Sequence, residues 1–218
     1  MPWSNLGLNA WEDLRSFPPE SAKNIFHFNA SYYGRAQEKE VDLAARYIPF
    51  AQKIRTMLEI GAGGGLLSLI LNKRYDVTVV NTAYVDFPYY EYITERGGLC
   101  VLLEGEKIMP FAKQSFDVIH HRWVFHSVEP DRFRDIVIDQ NRILRPGGYL
   151  WICDGLSNAQ YETIRYLLLE QLGYKIIFEE KKKRRSITAH FKSNPYEVDW
   201  HVILIKPVLL VQELDSCL

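Results

Sequence analysis

Leu58-Glu59-Ile60-Gly61-Ala62-Gly63-Gly64-Gly65 is the stretch on which the fold turns: a short apolar run, beginning at Thr56, enters a glycine cluster, and Leu66 to Asn72 continues with helical character. Strand, glycine-rich turn, helix is the plain reading. A turn that leaves a buried strand and lets the backbone approach a ligand needs positive φ and no Cβ, and glycine meets both demands.

Outward from this turn, the same alternation repeats. Before it, residues 36 to 50 carry Val41, Ala44, Ala45 and Ile48 at helical spacing, and Pro49 stops the pattern. After it, Val77-Thr78-Val79-Val80 reads as a strand buried on both faces. Residues 86 to 96 read as a crossover helix, and Leu99 to Leu103, Phe116 to Ile119 and Tyr149 to Cys153 as three further strands. Arg132 to Leu144 carries one apolar stripe and ends at Arg145-Pro146-Gly147-Gly148. Beyond a helix over 158 to 172, Lys175 to Phe178 and Trp200 to Ile205 are joined by a polar loop, so they are expected to pair as an antiparallel hairpin. The predicted fold is therefore α/β: a doubly wound, mostly parallel seven-stranded sheet with a C-terminal antiparallel hairpin, its ligands at the carboxyl ends of the strands. At 218 residues the chain fits one domain, 36–218, preceded by an aromatic, Pro-containing cap segment over 1–35.

An acid just before a Gly-x-Gly-x-Gly turn resembles the cofactor signature of the class I S-adenosylmethionine (SAM)-dependent methyltransferases. The resemblance continues, in order, through Met109-Pro110-Phe111, Ser115 to Ile119 and Arg142 to Gly148, and covers about residues 54 to 206. Within the superfamily the chain resembles a set of plant methyltransferases with an LRPGG element and a non-acidic second-strand end. The alternative, a nicotinamide-binding turn, wants its third glycine at position 66, where Leu66 stands, and an acid near Val80-Asn81-Thr82, where there is none.

The resemblance implies S-adenosyl-L-methionine as cofactor, held by Glu59, Gly61, Ala62, Gly63 and Gly65, with the first-turn N–H groups of the following helix directed at its carboxylate. It assigns Asn81 to the ribose and Glu106 to the adenine side, and Thr82 and His120 complete the expected cofactor set; His120 is expected on the rim after the fourth strand, though packing would also account for it. Asn81 departs from the pattern, because an acid there accepts from both ribose hydroxyls whereas an amide accepts only through its carbonyl; Asp86 could substitute from the loop. Methyl transfer relies mainly on alignment and exclusion of water, and a base matters only if the acceptor must lose a proton. His121 and His126, expected on the rim after the fourth strand, are the candidates for that role, with polar rim packing as the ordinary alternative. Tyr32, Tyr33 and Trp123 are candidates to wall the acceptor, or to pack.

A net charge of -1 gives no global field for nucleic acid or membrane. Lys181 to Arg185, five consecutive cations after Glu179-Glu180, is the only charge run. It reads as a solvated hairpin loop or as a phosphate-gripping patch. Three scattered cysteines without metal spacing, no membrane-length apolar run and no basic-then-apolar leader point to a reduced, cytoplasmic setting and to no metal. The expected function is methyl transfer to a small molecule. The alternatives are a methyltransferase-fold binding or scaffold module and an RNA methyltransferase using the 181–185 patch; oligomeric state is left open.

Overall fold

A computed structural model of the chain describes residues 37–62, 65–84, 93–94, 98–103, 109–125, 128, 130–183 and 197–208. The cap segment with Tyr32 and Tyr33, Gly63 and Gly64, most of the 86–96 helix, Asp86, Glu106, His126 and Arg184-Arg185 lie outside the described residues.

A helix over 37–44 (α1) leads through turns into β1 (Thr56–Ile60). There follow α2 (Leu66–Tyr75), β2 (Thr78–Tyr84), β3 (Leu99–Leu103), β4 (Phe116–Arg122), α3 (Phe133–Ile143), β5 (Leu144–Leu156), α4 (Asn158–Tyr166), a π-helical turn over Leu167–Gln171, β6 (Lys175–Lys183) and β7 (Val198–Ile205). The seven strands form one sheet in the order β3-β2-β1-β4-β5-β7-β6. Every neighbouring pair from β3 to β5 is parallel, and β7 runs antiparallel to both β5 and β6. Strand order reverses between β1 and β4, which is where an open α/β sheet leaves a crevice for a ligand.

Five strands run longer than the sequence predicts, β7 by two residues at its start. β2 continues through Asn81 and Thr82 to Tyr84 because β1 and β3 flank it and both supply ladder partners. β4 continues to Arg122, with Ile60 opposite His121 and Arg122 opposite Cys153. β5 absorbs Arg145 to Gly148 at its start, after a register shift against β4, and runs on to Leu156 against β7. β6 runs to Lys183, so the first three cations of the charge run sit on the outer edge of the sheet rather than in a hairpin loop. Lysines on an edge strand discourage pairing with another chain. Lys182 meets Glu180 at 2.9 Å, and Lys181 lies 3.6 Å above the Tyr161 ring.

Alternation along these strands builds two cores. Leu58, Ile119, Leu150, Ile152, Trp200 and Val202 pack under α3 and α4, whereas Met57, Val79, Val118, Trp151 and Ile203 pack under α1 and α2. Each buried indole finds an acceptor, as such groups require: Trp200 Nε1 donates to Glu179 at 2.9 Å and Trp151 Nε1 to His201 Nε2 at 2.8 Å. Asp117 ties the start of β4 to the start of β1, accepting from the N–H groups of Arg55 and Thr56 at 2.9 Å each and pairing with Arg145 at 2.5 Å. Burial alone would raise the Asp117 carboxyl, but these donors outweigh it and hold the group below its ordinary range.

Candidate cofactor and acceptor site

The turn after β1 has the backbone its glycines suggest. Gly61 and Gly65 both take left-handed conformations, with φ of 65° and 66°. Gly61 N–H donates to Thr82 Oγ1 at 3.1 Å and Ala62 N–H to Thr82 O at 3.1 Å, so Thr82 braces the turn from β2. Gly65 is the N-cap of α2, and neither a capping side chain nor a first-turn acid satisfies that end of the helix. An α-helix leaves its first N–H groups without internal partners, and an anion is the partner they suit.

Beneath the turn lies a buried polar chain. Glu59 is buried and its Oε2 is 2.8 Å from Ser68 Oγ; Ser68 Oγ also contacts Asn81 Oδ1, and Asn81 Nδ2 donates to Leu99 O at 2.9 Å. That last bond fixes the amide, so Oδ1 faces Ser68 as an acceptor. Ser68 has one proton to give. A protonated Glu59 that donates to Ser68, which in turn donates to Asn81, satisfies every group. In agreement, burial raises the Glu59 carboxyl to about 7. Asn81 is therefore turned inward, with 0% exposure and both amide ends engaged. The ribose role expected of it does not fit this arrangement, because the whole side chain is closed off from solvent with Oδ1 facing Ser68.

His120 and His121 lie inside β4 rather than on the rim, since the strand runs on to Arg122, and both are wholly buried. His120 donates from Nδ1 to Trp151 O at 2.9 Å and its ring lies 4.0 Å from the Trp151 ring, which makes it part of the α1/α2 core and not a cofactor contact. His121 is on the opposite face, edge-on to Phe125, with its Nδ1 3.9 Å from Asp154. Burial lowers the His121 imidazole to about 4, although Asp154 pulls the other way. A neutral ring of such low basicity, closed off from solvent, does not fit the role of general base.

The rim is formed instead by the residues after β4 and at the end of β5. Trp123 takes a left-handed backbone (φ 55°), donates its N–H to Cys153 O at 3.0 Å and keeps 36% exposure. Asp154 Oδ2 accepts from the N–H groups of Val124 and Phe125 at 2.8 Å each, clamping the loop that follows β4. That loop touches the glycine turn: a Cβ on Gly61 would stand 3.0 Å from Val124 Cγ2. A cavity of about 250 Å³ opens beside it, lined by Arg122, Trp123 and Asp154 from the rim and by Asp199 and His201 from β7; the glycine turn is not among its walls. Of the sequence candidates, Glu59, Gly61, Ala62, Gly65 and Thr82 come together at the turn, and Trp123 joins the cavity. Arg122, Asp154 and His201 were not singled out. Their position at strand ends facing the crevice was the available signal.

The residues present suit the amino-acid end of a sulfonium nucleoside: an uncapped helix N-terminus for its carboxylate, and a buried acid for its ammonium. Residues 58–152 match the family described as a methyltransferase domain. The probable methyltransferase At1g29790 of Arabidopsis thaliana is 26% identical over 161 residues, or 71% of this chain and 40% of that protein. The probable methyltransferase PMT9 of the same plant is 30% identical over 126 residues, or 56% of this chain and 20% of that protein. The chain thus spans less than half the length of these curated relatives. Among solved structures, a SAM-dependent methyltransferase of Methanosarcina mazei shares the fold with a TM-score of 0.58 at 17% identity, with 76% of this chain and 97% of that one covered. By strand order and glycine turn the chain has the class I methyltransferase-like fold, and its residues 58–152 match a methyltransferase domain.

Proposed function

We propose that the chain transfers a methyl group from S-adenosyl-L-methionine to a small-molecule acceptor. The observation that carries this reading is the uncapped N-terminus of α2 behind left-handed Gly61 and Gly65, with the Glu59 carboxyl buried below it. In this reading the α2 amides hold the cofactor's carboxylate and Glu59, once ionised, holds its ammonium. The bound cofactor supplies an electrophilic methyl carbon. The acceptor's lone pair bonds to that carbon as the carbon–sulfur bond breaks, its electron pair remains on sulfur, and any acceptor proton passes to water. The rim loop 123–125 keeps the acceptor beside the turn, so alignment supplies most of the acceleration.

Gly63, Glu106 and His126, and the cap 1–35 with Tyr32 and Tyr33 closing over the cofactor, complete the proposal from sequence alone; one domain over 36–218 is part of it. Cys100 and Cys153 are free thiols, which supports a cytoplasmic setting. Among the described residues no helix is long and apolar enough to cross a membrane.

Calorimetric titration with SAM, and tritium transfer from labelled SAM into a cell extract, test the reading. Binding and transfer by the native chain, both lost in Gly61→Val, are expected. A native chain that does not bind SAM at all would overturn the proposal. Binding without transfer to any extract would favour the scaffold alternative, to which the inward-turned Asn81 gives some support.

A further inference from the structure

Glu59, Ser68 and Asn81 meet beneath the glycine turn from three different elements, β1, α2 and β2. Ser68 Oγ is 2.8 Å from Glu59 Oε2 and also contacts Asn81 Oδ1. Asn81 cannot turn its amide round, because Nδ2 donates to Leu99 O on β3 at 2.9 Å. Two acceptors therefore compete for the single Ser68 proton. The junction lies directly under the helix end: a Cβ on Gly65, the N-cap of α2, would stand 3.7 Å from Asn81 Oδ1.

That competition decides the state of Glu59. While Ser68 donates to Asn81, only a protonated Glu59 can bond to Ser68, and it does so as the donor. An ionised Glu59 needs the Ser68 proton for itself and leaves the buried Asn81 Oδ1 without a donor, which is costly. The charges around the junction do not override this. Arg122 on β4 favours the ionised carboxyl, Glu40 on α1, 3.3 Å from Arg122, opposes it, and each counts for less than burial. His120, opposite Glu59 on β4, stays neutral because burial lowers its imidazole well below the ordinary value.

We propose that Asn81 is a positioning residue of the cofactor site: through Ser68 it keeps the proton on Glu59 until a ligand ammonium arrives. The inference rests on the methyl-transfer reading above. When the ammonium docks, the Glu59 proton passes to water and the Ser68 hydroxyl swings from Asn81 Oδ1 to Glu59 Oε2. One proton is released for each ligand bound, and no covalent bond other than that O–H is broken. An amide at position 81 thus serves the amino-acid end of the ligand rather than its ribose.

S-adenosylhomocysteine and its deaminated analogue, which keeps the carboxylate and lacks the ammonium, test this by calorimetric titration into the full chain from pH 5 to 8. Native affinity for S-adenosylhomocysteine is expected to rise about tenfold between pH 6 and 8, since Glu59 loses its proton near 7. Affinity for the analogue should not rise. Asn81→Leu removes the competing acceptor, so the midpoint of the rise should fall by about one pH unit. Ser68→Ala removes the donor to the ionised carboxyl and should raise that midpoint. If Asn81 merely filled space, its replacement would weaken binding at every pH and leave the midpoint in place, and that result overturns the inference. So does a Glu59 carboxyl that titrates near 4.5 in the ¹³C-labelled native chain, a readout that needs neither variant nor ligand. S-adenosylhomocysteine bound equally well at every pH overturns it too and leaves methyl transfer standing; a native chain that binds none at any pH overturns both.

Discussion

Glu59 is a carboxyl whose neighbours favour the proton. Its folded value of about 7 stands above the ordinary 4.5, so its share of stability is fully present below pH 4.5 and is lost as pH rises through 7. His121 and His201 act in the opposite sense. Held near 4, they contribute stability that is present above the ordinary 6.5 and lost as pH falls toward 4. The two trends overlap, so Glu59 is read by difference: denaturant unfolding should show the native chain losing about 2 kcal/mol relative to Glu59→Gln between pH 5 and 8. A ligand ammonium favours the ionised form. SAM affinity should therefore increase as pH rises toward 7 and level off above it, with a proton released on binding below pH 7; calorimetry in buffers of different ionisation enthalpy measures that proton. Asp154 is the other decisive residue. Removing its two N–H contacts in Asp154→Ala should cost about 1–3 kcal/mol and loosen the rim loop, seen as faster amide exchange at Val124 and Phe125.

At the scale of elements, the strands were legible in the sequence because β-branched and apolar runs between glycines and prolines leave few other readings. Their ends were not. β4 and β2 look finished where their apolar residues stop, at Ile119 and Val80, yet flanking strands extend the ladder through His120-His121-Arg122 and Asn81 to Tyr84. Local composition carries no trace of that pairing, and so two histidines expected on the rim are core residues. Helix starts carry a local signal: Ser157 accepts from Gln160 N–H at 3.2 Å while the Gln160 side chain accepts from Ser157 N–H at 2.9 Å, a complete capping box. Ser157→Ala should cost about 1 kcal/mol and lower the melting temperature by about 2–4 °C, with the change confined to α4 by amide exchange.

Across the whole molecule, chain order and sheet order together bring the Gly61 turn of β1 against the Val124 loop of β4, residues 63 positions apart in a sequence that gives no hint of their contact. The fold class and the glycine turn were readable because local stretches encode them; the cavity beside the rim loop was not, because its walls come from α1, the end of β4, β5, β6 and β7. β6 is one of the sheet's two edges, and its lysines serve the molecule as a whole. Replacing Lys181 and Lys183 with valine should leave the chain's circular dichroism unchanged and promote association beyond that of the native chain, detectable by light scattering. The central claim is that the glycine turn and α2 amides grip the amino-acid end of the cofactor. A crystal structure grown with S-adenosylhomocysteine tests it most directly: the ligand carboxylate should lie at the N-terminus of α2 with its ammonium toward Glu59, and a ligand bound elsewhere, or a turn that stays empty at saturating ligand, would contradict it.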